Sequence, residues 1–93
     1  MPTFKVAIPS VLRSYTGGAA RVDARVDSEA PRLYDVFAAL EAAYPGIRFR
    51  MVDEAGRVRP HVQVFVGQAV QRDPATLLKP GEEIMIVGAL SGG

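Results

Sequence analysis

Few residues of this 93-residue chain are of types that do covalent chemistry, and the most informative are the last two, Gly92 and Gly93. With glycine at about 7% of an average protein, a random chain ends in Gly-Gly roughly once in 200 cases, so the pair alone reads as a frayed terminus. Its position gives it weight. It closes a six-residue segment that follows an apolar run, Ile84-Met85-Ile86-Val87. Such a segment reaches at most about 20 Å, and without side chains at its tip it can thread a narrow channel on another protein. The reactive group is then the α-carboxylate of Gly93. A carboxylate is a poor acyl donor because its leaving group is oxide, and adenylation by ATP replaces that with a good one. The chain has no phosphate loop of its own, since Gly17-Gly18 lacks the G-x-x-x-x-G-K-[ST] frame. Nucleotide therefore belongs to an activating partner, and no cofactor is expected on this chain.

Other chemistries find less support. The absence of cysteine removes disulfides, a thiolate nucleophile, iron-sulfur clusters and cysteine-based zinc sites together. His61 is the one histidine, and a metal site around it needs partners that only carboxylates supply, so no metal is expected and the imidazole reads as a surface group. Glu82 and Glu83 lie in a solvated turn and do not read as a general acid/base pair. Arg57 and Arg59 read as solvated, and Lys5 and Lys79 carry no sign of being conjugation targets. Eleven Lys and Arg against ten Asp and Glu leave a net charge of +1, which gives no field for nucleic acid or anionic lipid. No stretch approaches the roughly 18 apolar residues of a membrane span, and the N-terminus has no basic segment followed by a long apolar run, so the expected location is the cytoplasm.

At this length the chain forms one small domain, which excludes a two-domain enzyme with a cleft between the halves. Phe4, Val6 and Ile8 alternate with polar or small residues, predicting a strand over residues 3 to 8. Thr16-Gly17-Gly18 permits a reversal. A second strand over 20 to 27 follows, with Ala20, Val22, Ala24 and Val26 on one face and Arg21, Asp23, Arg25 and Asp27 on the solvated other. Leu33, Val36, Phe37, Leu40 and Tyr44 recur at helical spacing and predict a helix over about 31 to 44, with Ser28 as candidate cap, Pro31 in its first turn and Pro45-Gly46 as its stop. Residues 47 to 52 are mixed and lead to a turn at 53 to 56. Val62, Val64 and Val66 make a third strand, residues 69 to 71 a short fourth, residues 74 to 83 a short helical turn closed by a Pro-Gly bend, and residues 84 to 87 a last strand. Pairing the first and last strands in parallel, with the helix packed across the sheet, buries these apolar faces in two layers. The fold class is α+β, a roll with a mixed four- to five-stranded sheet and one main helix. The domain occupies residues 1 to 87, and a flexible C-terminal tail occupies 88 to 93.

In Val6-Ala7-Ile8-Pro9-Ser10-Val11-Leu12-Arg13 with Thr16-Gly17-Gly18, in Leu40-Glu41-Ala42-Ala43-Tyr44-Pro45-Gly46-Ile47, in Val62-Gln63-Val64-Phe65-Val66, in Leu78-Lys79-Pro80-Gly81-Glu82-Glu83 and in Ala89-Leu90-Ser91-Gly92-Gly93, the chain resembles the ubiquitin-like sulfur carriers of the MoaD/ThiS type. It looks most like the branch that serves cysteine biosynthesis. It departs from a common pattern of the family at Gly67-Gln68, where an Asn-containing turn often follows the central strand. The resemblance spans essentially the whole chain and implies a β-grasp fold and a protein that is not itself an enzyme. It implies that Gly93 is adenylated by an E1-like adenylyltransferase and converted to a thiocarboxylate, with Gly92 keeping the tail slender. The sulfur-accepting enzyme is then cysteine-synthase-like, with a metal-dependent peptidase releasing the product. Within the class, the alternatives are the small subunit of molybdopterin synthase, docking a large catalytic subunit, and a thiamine sulfur carrier. Outside it, the alternative is a ubiquitin-like modifier or interaction module.

If Ile84 and Ile86 face the core, alternation sends Met85 and Val87 to the other face of the sheet, as it does Phe65. With Leu90 at its edge, this set forms an apolar patch at the root of the tail and the expected docking surface for the activating partner.

Overall fold

The structure, a computed structural model, describes residues 2 to 88. Five strands form one mixed sheet in the order β2-β1-β5-β3-β4. β1 (Thr3–Ala7) and β2 (Arg21–Arg25) are antiparallel, joined through a single 3-10 turn at Ser10–Leu12 and the Gly17-Gly18 reversal. Helix α1 (Leu33–Ala43) crosses one face. A four-residue helix, α2 (Arg48–Met51), precedes β3 (Val62–Val66), the two-residue β4 (Ala69–Val70) and β5 (Glu83–Gly88). β5 lies between β1, to which it is parallel with Val6 opposite Ile84, and β3, to which it is antiparallel with Phe65 opposite Met85. The mixed sheet, the single main helix and the parallel first and last strands are as the sequence predicts.

Alternation explains the core. Phe4, Val6, Val22, Ala24, Val64, Val66, Ile84 and Ile86 point to the helix side, and Leu33, Val36, Phe37 and Leu40 of α1 close over them. Ile47 and Met51, four residues apart across α2, are both fully buried and extend this layer. Their spacing is the signal that the mixed reading of residues 47 to 52 passes over.

Two local expectations are corrected. Ser28 does not cap α1, and Pro31 lies before the helix, whose N-cap is Arg32. The Ser28 hydroxyl accepts from Ala30 N–H instead. The free N–H groups of the first turn go to a distant loop: Leu33 donates to the Thr76 carbonyl (3.0 Å) and Tyr34 to the Pro74 carbonyl (2.8 Å). Asp35 completes the start by accepting from Arg32 N–H at 2.8 Å. For the same reason residues 74 to 83 form no helix. Their carbonyls are turned outward to cap α1, Leu77 bridges to Arg32, and Leu78 is pinned in the core by its N–H bond to the Pro31 carbonyl. The Pro-Gly bend is present, with Gly81 at positive φ.

The C-terminal end of α1 is tied to α2 by one carboxylate. Glu41 accepts from Gly46 N–H (2.9 Å) and Arg48 N–H (3.0 Å). Gly46 is needed there, because its φ is +98° and a Cβ would stand 3.1 Å from the Tyr15 ring. The Gly46 bond, followed by the Arg48 bond, lowers the Glu41 pKa below its ordinary 4.5.

Two outcomes follow. Phe37→Ala removes a fully buried ring and costs about 3–5 kcal/mol in denaturant unfolding, a large share of the 5–15 kcal/mol typical of a domain. For Glu41, the unfolded chain takes up its proton at higher pH than the folded one. Its contribution is therefore present above pH 4.5 and is lost as pH falls through the lowered folded value. Glu41→Gln lowers the melting temperature at pH 7 and flattens its decline in acid, whereas parallel curves for the two proteins would show that the bond is idle.

Candidate functional site

The outer face of the sheet, away from α1, carries the residues singled out at the root of the tail. Register sets them in a row across four strands: Val70 opposite Phe65, Phe65 opposite Met85, and Met85 opposite Ala7. Met85 is 43% exposed and Val70 47%, while Phe65 and Ala7 between their neighbours are half-buried. One step further along β5, Val87 (37% exposed) stands opposite Gln63. Val11, from the 3-10 turn, lies beside Gly88, close enough that a Cβ there would meet its Cγ2 at 3.3 Å. Phe65, Met85 and Val87 thus share one face, as alternation requires. Leu90, Gly92 and Gly93 lie outside the described residues.

The charge on this face is segregated. At the N-terminal end of β5, Glu83 stands opposite Lys5, and Lys5 opposite Asp23. Lys5 pairs with Asp23 at 3.4 Å and Arg21 with Glu83 at 4.0 Å, both pairs well exposed. Along β5 the face therefore changes from charged at Glu83 to apolar at Met85 and Val87, in the direction in which the chain runs on towards its C-terminus. The face is thus divided into a charged end around Lys5, Asp23, Arg21 and Glu83 and an apolar end around Phe65, Met85 and Val87.

Sequence reasoning passes over Val70, Val11 and Ala7. Val70 sits in a strand too short to show alternation, and Val11 comes from a turn that only the fold carries to the end of β5.

The remaining polar groups are occupied structurally. Asp53 accepts at Oδ1 from Arg57 N–H (3.0 Å) and Ala55 N–H (2.9 Å), bonds that hold its carboxyl below the ordinary range, the Arg57 bond most. With Glu41 it lines a hollow of about 380 Å³ that also includes Phe49 and Arg48. Carboxylates committed to main-chain N–H groups in this way are ionised at neutral pH and ill suited to donate protons. Arg59 is not simply solvated: its guanidinium sits 4.6 Å from the Phe49 ring centre while Nε donates to the Phe49 carbonyl. Among the described residues no three His, Asp or Glu side chains gather to hold a metal ion, and no helix is long and apolar enough to cross a membrane.

Comparison with known proteins places this architecture. No protein-family model matches the chain. The sulfur carrier protein CysO of Mycobacterium tuberculosis, and likewise that of Mycobacterium bovis, is 34% identical over 93 residues, covering 95% of this chain and 96% of the relative. The crystal structure of Mycobacterium tuberculosis CysO superposes with a TM-score of 0.82 at 32% identity, covering 94% of this chain and 99% of that one. A chain of the Amycolatopsis orientalis BexX/CysO complex gives 0.83 at 27%, covering 97% and 99%. The Haloferax volcanii small archaeal modifier protein 1, at 0.82 and 18% identity over 97% and 100%, shares the fold.

A pair of neighbouring substitutions tests the two faces of β5. Met85→Asp changes stability by about 1 kcal/mol, because the side chain is 43% exposed and a carboxylate there reaches water. Ile84→Asp strands a carboxylate in the core and costs more than about 4 kcal/mol, both read by denaturant unfolding.

Proposed function

The chain belongs to the CysO family of sulfur carrier proteins, and from that premise we propose that its Gly93 carboxylate is the atom set that carries the sulfur. An E1-like adenylyltransferase, which supplies the ATP site, joins AMP to the carboxylate with release of pyrophosphate. Hydrosulfide then adds to the acyl carbon, its proton passes to solvent, and AMP leaves with its bridging oxygen. The product is a thiocarboxylate at Gly93. Gly92 keeps the approach narrow, and this chain provides the acyl group without catalysing either step. Cysteine biosynthesis is the favoured destination. There the thiocarboxylate sulfur takes the β-carbon of an activated serine derivative on a cysteine-synthase-like enzyme as the activating group departs, the acyl group passes from sulfur to the neighbouring amine, and a metal-dependent peptidase hydrolyses the resulting amide to release cysteine. One family member, the Amycolatopsis orientalis CysO, forms a complex with BexX, an example of a partner docking on this fold. The cytoplasm, where such biosynthetic enzymes work, is the proposed location.

The observation that carries this reading is the placement of β5. It lies inside the sheet, paired with β1 over Glu83, Ile84 and Met85 and with β3 from Ile84 to Gly88, so the strand is anchored on both sides at its start and by β3 up to Gly88. A tail presented to another enzyme's channel benefits from such a root, because a fixed origin limits the volume its tip must search. The Phe65-Met85-Val87 surface lies on the same strand and its neighbour, so a partner gripping it finds the tail at a set distance. Leu90 would extend that grip.

Intact-mass measurement after incubation with ATP, hydrosulfide and the cognate activating enzyme tests the reading. The expected product gains the mass of one oxygen-to-sulfur exchange, located to Gly93 by fragmentation. Deleting Gly93 abolishes the gain with no change in melting temperature, since a terminal residue buries little. Phe65→Asp or Val87→Asp raises the KM for the activating enzyme about tenfold or more, with the fold intact. Sulfur gained by the truncated protein would overturn the assignment of Gly93, and unaltered adenylation kinetics in the two face variants would overturn the docking surface.

A further inference from the structure

The far edge of the sheet carries a second pattern, independent of the tail. β2 is an edge strand, and its ladder to β1 uses only alternate residues. Ile8 N–H bonds the Ala20 carbonyl and Val26 N–H the Pro2 carbonyl, which with the pairs Phe4 opposite Ala24 and Val6 opposite Val22 assigns all β1-facing hydrogen bonds to Ala20, Val22, Ala24 and Val26. The main-chain groups of Arg21, Asp23 and Arg25 therefore point away from β1, and they have no main-chain partner on that side among the described residues. Their side chains, and that of the following Asp27, are exposed on the outer face. Edge strands in this state are commonly protected by charged side chains, especially lysine, by bulges or by proline. Here there is no proline between residues 20 and 30, and the charges alternate: Arg21, Asp23, Arg25, Asp27.

That alternation is complementary to itself. Antiparallel pairing of β2 with β2 of a second copy, about a two-fold axis through Ala24, sets Asp23 opposite the partner's Arg25 and Arg21 opposite the partner's Asp27, and the reverse by symmetry. The same register places the outward-pointing main-chain groups of these residues as hydrogen-bonded pairs and sets Val22 opposite the partner's Val26 on the helix side. Shifting by one position along each strand to a two-fold at Asp23 or Arg25 opposes like charges, Asp23 with the partner's Asp23 or Arg25 with the partner's Arg25. Shifting by half of that pairs outward groups with inward ones and misaligns the faces. A two-fold at Val22 or Val26 opposes only Arg21 with the partner's Asp23 or only Arg25 with the partner's Asp27, so the register about Ala24 is the one in which all four charges meet opposite partners.

We propose that β2 is a self-docking edge through which two copies of this chain join their five-stranded sheets into one of ten. Val22 and Val26 are already buried within each copy, at 8% and 4% exposure, so the association buries little new apolar area. It is held by main-chain hydrogen bonds and opposed charges, and is therefore weak and weakened by salt. The intrachain contacts of Asp23 with Lys5 and of Arg21 with Glu83 lie on the same face and compete with it. The two-fold is perpendicular to the sheet, so both docking faces remain open on one side. The two β5 strands run in opposite directions, and their C-terminal ends lie at opposite sides of the assembly. The other edge, β4, has two residues and no comparable charge pattern.

Sedimentation equilibrium of the full chain tests the proposal. The expected weight-average mass rises with concentration at low ionic strength and returns towards that of one chain as salt is added. Asp23→Arg with Asp27→Arg makes the edge uniformly positive, and Arg21→Asp with Arg25→Asp makes it uniformly negative. Each double variant alone associates at least about tenfold more weakly than the wild type, and the two mixed associate again. Amide exchange on the unmodified protein reads the same edge without mutation: the N–H groups of Arg21, Asp23 and Arg25 slow with rising concentration, while those of Val22 and Ala24 do not change. A wild-type mass of one chain at all concentrations, association that both charge variants leave intact, or concentration-independent exchange at Arg21, Asp23 and Arg25 would each overturn the proposal.

Discussion

The parallel contact between the first strand and the last is the constraint on which this molecule depends. Lys5, Val6 and Ala7 pair with Glu83, Ile84 and Met85 across nearly the full length of the chain. Closing so long a loop costs chain entropy before any contact is gained, so the pairing forms only with the rest of the core. What offsets that cost is burial: Val6, Ile84 and Ile86 are almost wholly removed from water, with Phe37 and Leu40 of α1 lying over the sheet. Without this contact the N-terminal hairpin and the β3–β4 hairpin have no common strand, and the C-terminal segment has no fixed origin.

The interior position of β5 follows from that contact and carries the functional consequence. A strand between two neighbours satisfies its main chain on both sides, leaving only its outward side chains to distinguish it on the surface. On β5 those side chains change from Glu83 to Met85 to Val87. The apolar end is the one from which the tail continues. Under the proposed function a partner grips this surface and acts on the Gly93 carboxylate, and β5 contributes to that surface and leads into the C-terminal segment.

The outer elements reflect the same economy of polar groups. The loop at residues 74 to 78 gives its carbonyls to the first turn of α1, Glu41 binds the turn that follows it, and Asp53 organises the turn before β3. Buried side-chain nitrogen and oxygen atoms without a partner are absent among the described residues. Acidic side chains used in this way shape the chain and are poor candidates for acid/base work.

Much of this was legible in the amino-acid sequence because the forces responsible are periodic and local. Alternation at Phe4-Val6-Ile8 and Val22-Ala24-Val26, and the helical spacing of Leu33, Val36, Phe37 and Leu40, determined the elements and which side of each is apolar. The same alternation along Ile84-Met85-Ile86-Val87 determined that Met85 and Val87 leave the core on the face that Phe65 shares. Tertiary structure decided what depends on residues far apart in the chain. It gave the start of α1 to the carbonyls of Pro74 and Thr76 in place of Ser28, because a hydrogen bond goes to whichever acceptor the fold brings within reach. It turned residues 74 to 83 into a cap where composition suggested a helical turn, and added Val70, Val11 and Ala7 to the outer apolar face by register and proximity alone. The charges of β2 are likewise plain in the sequence, but only the sheet order makes that strand an edge and turns its unpaired main-chain groups outward.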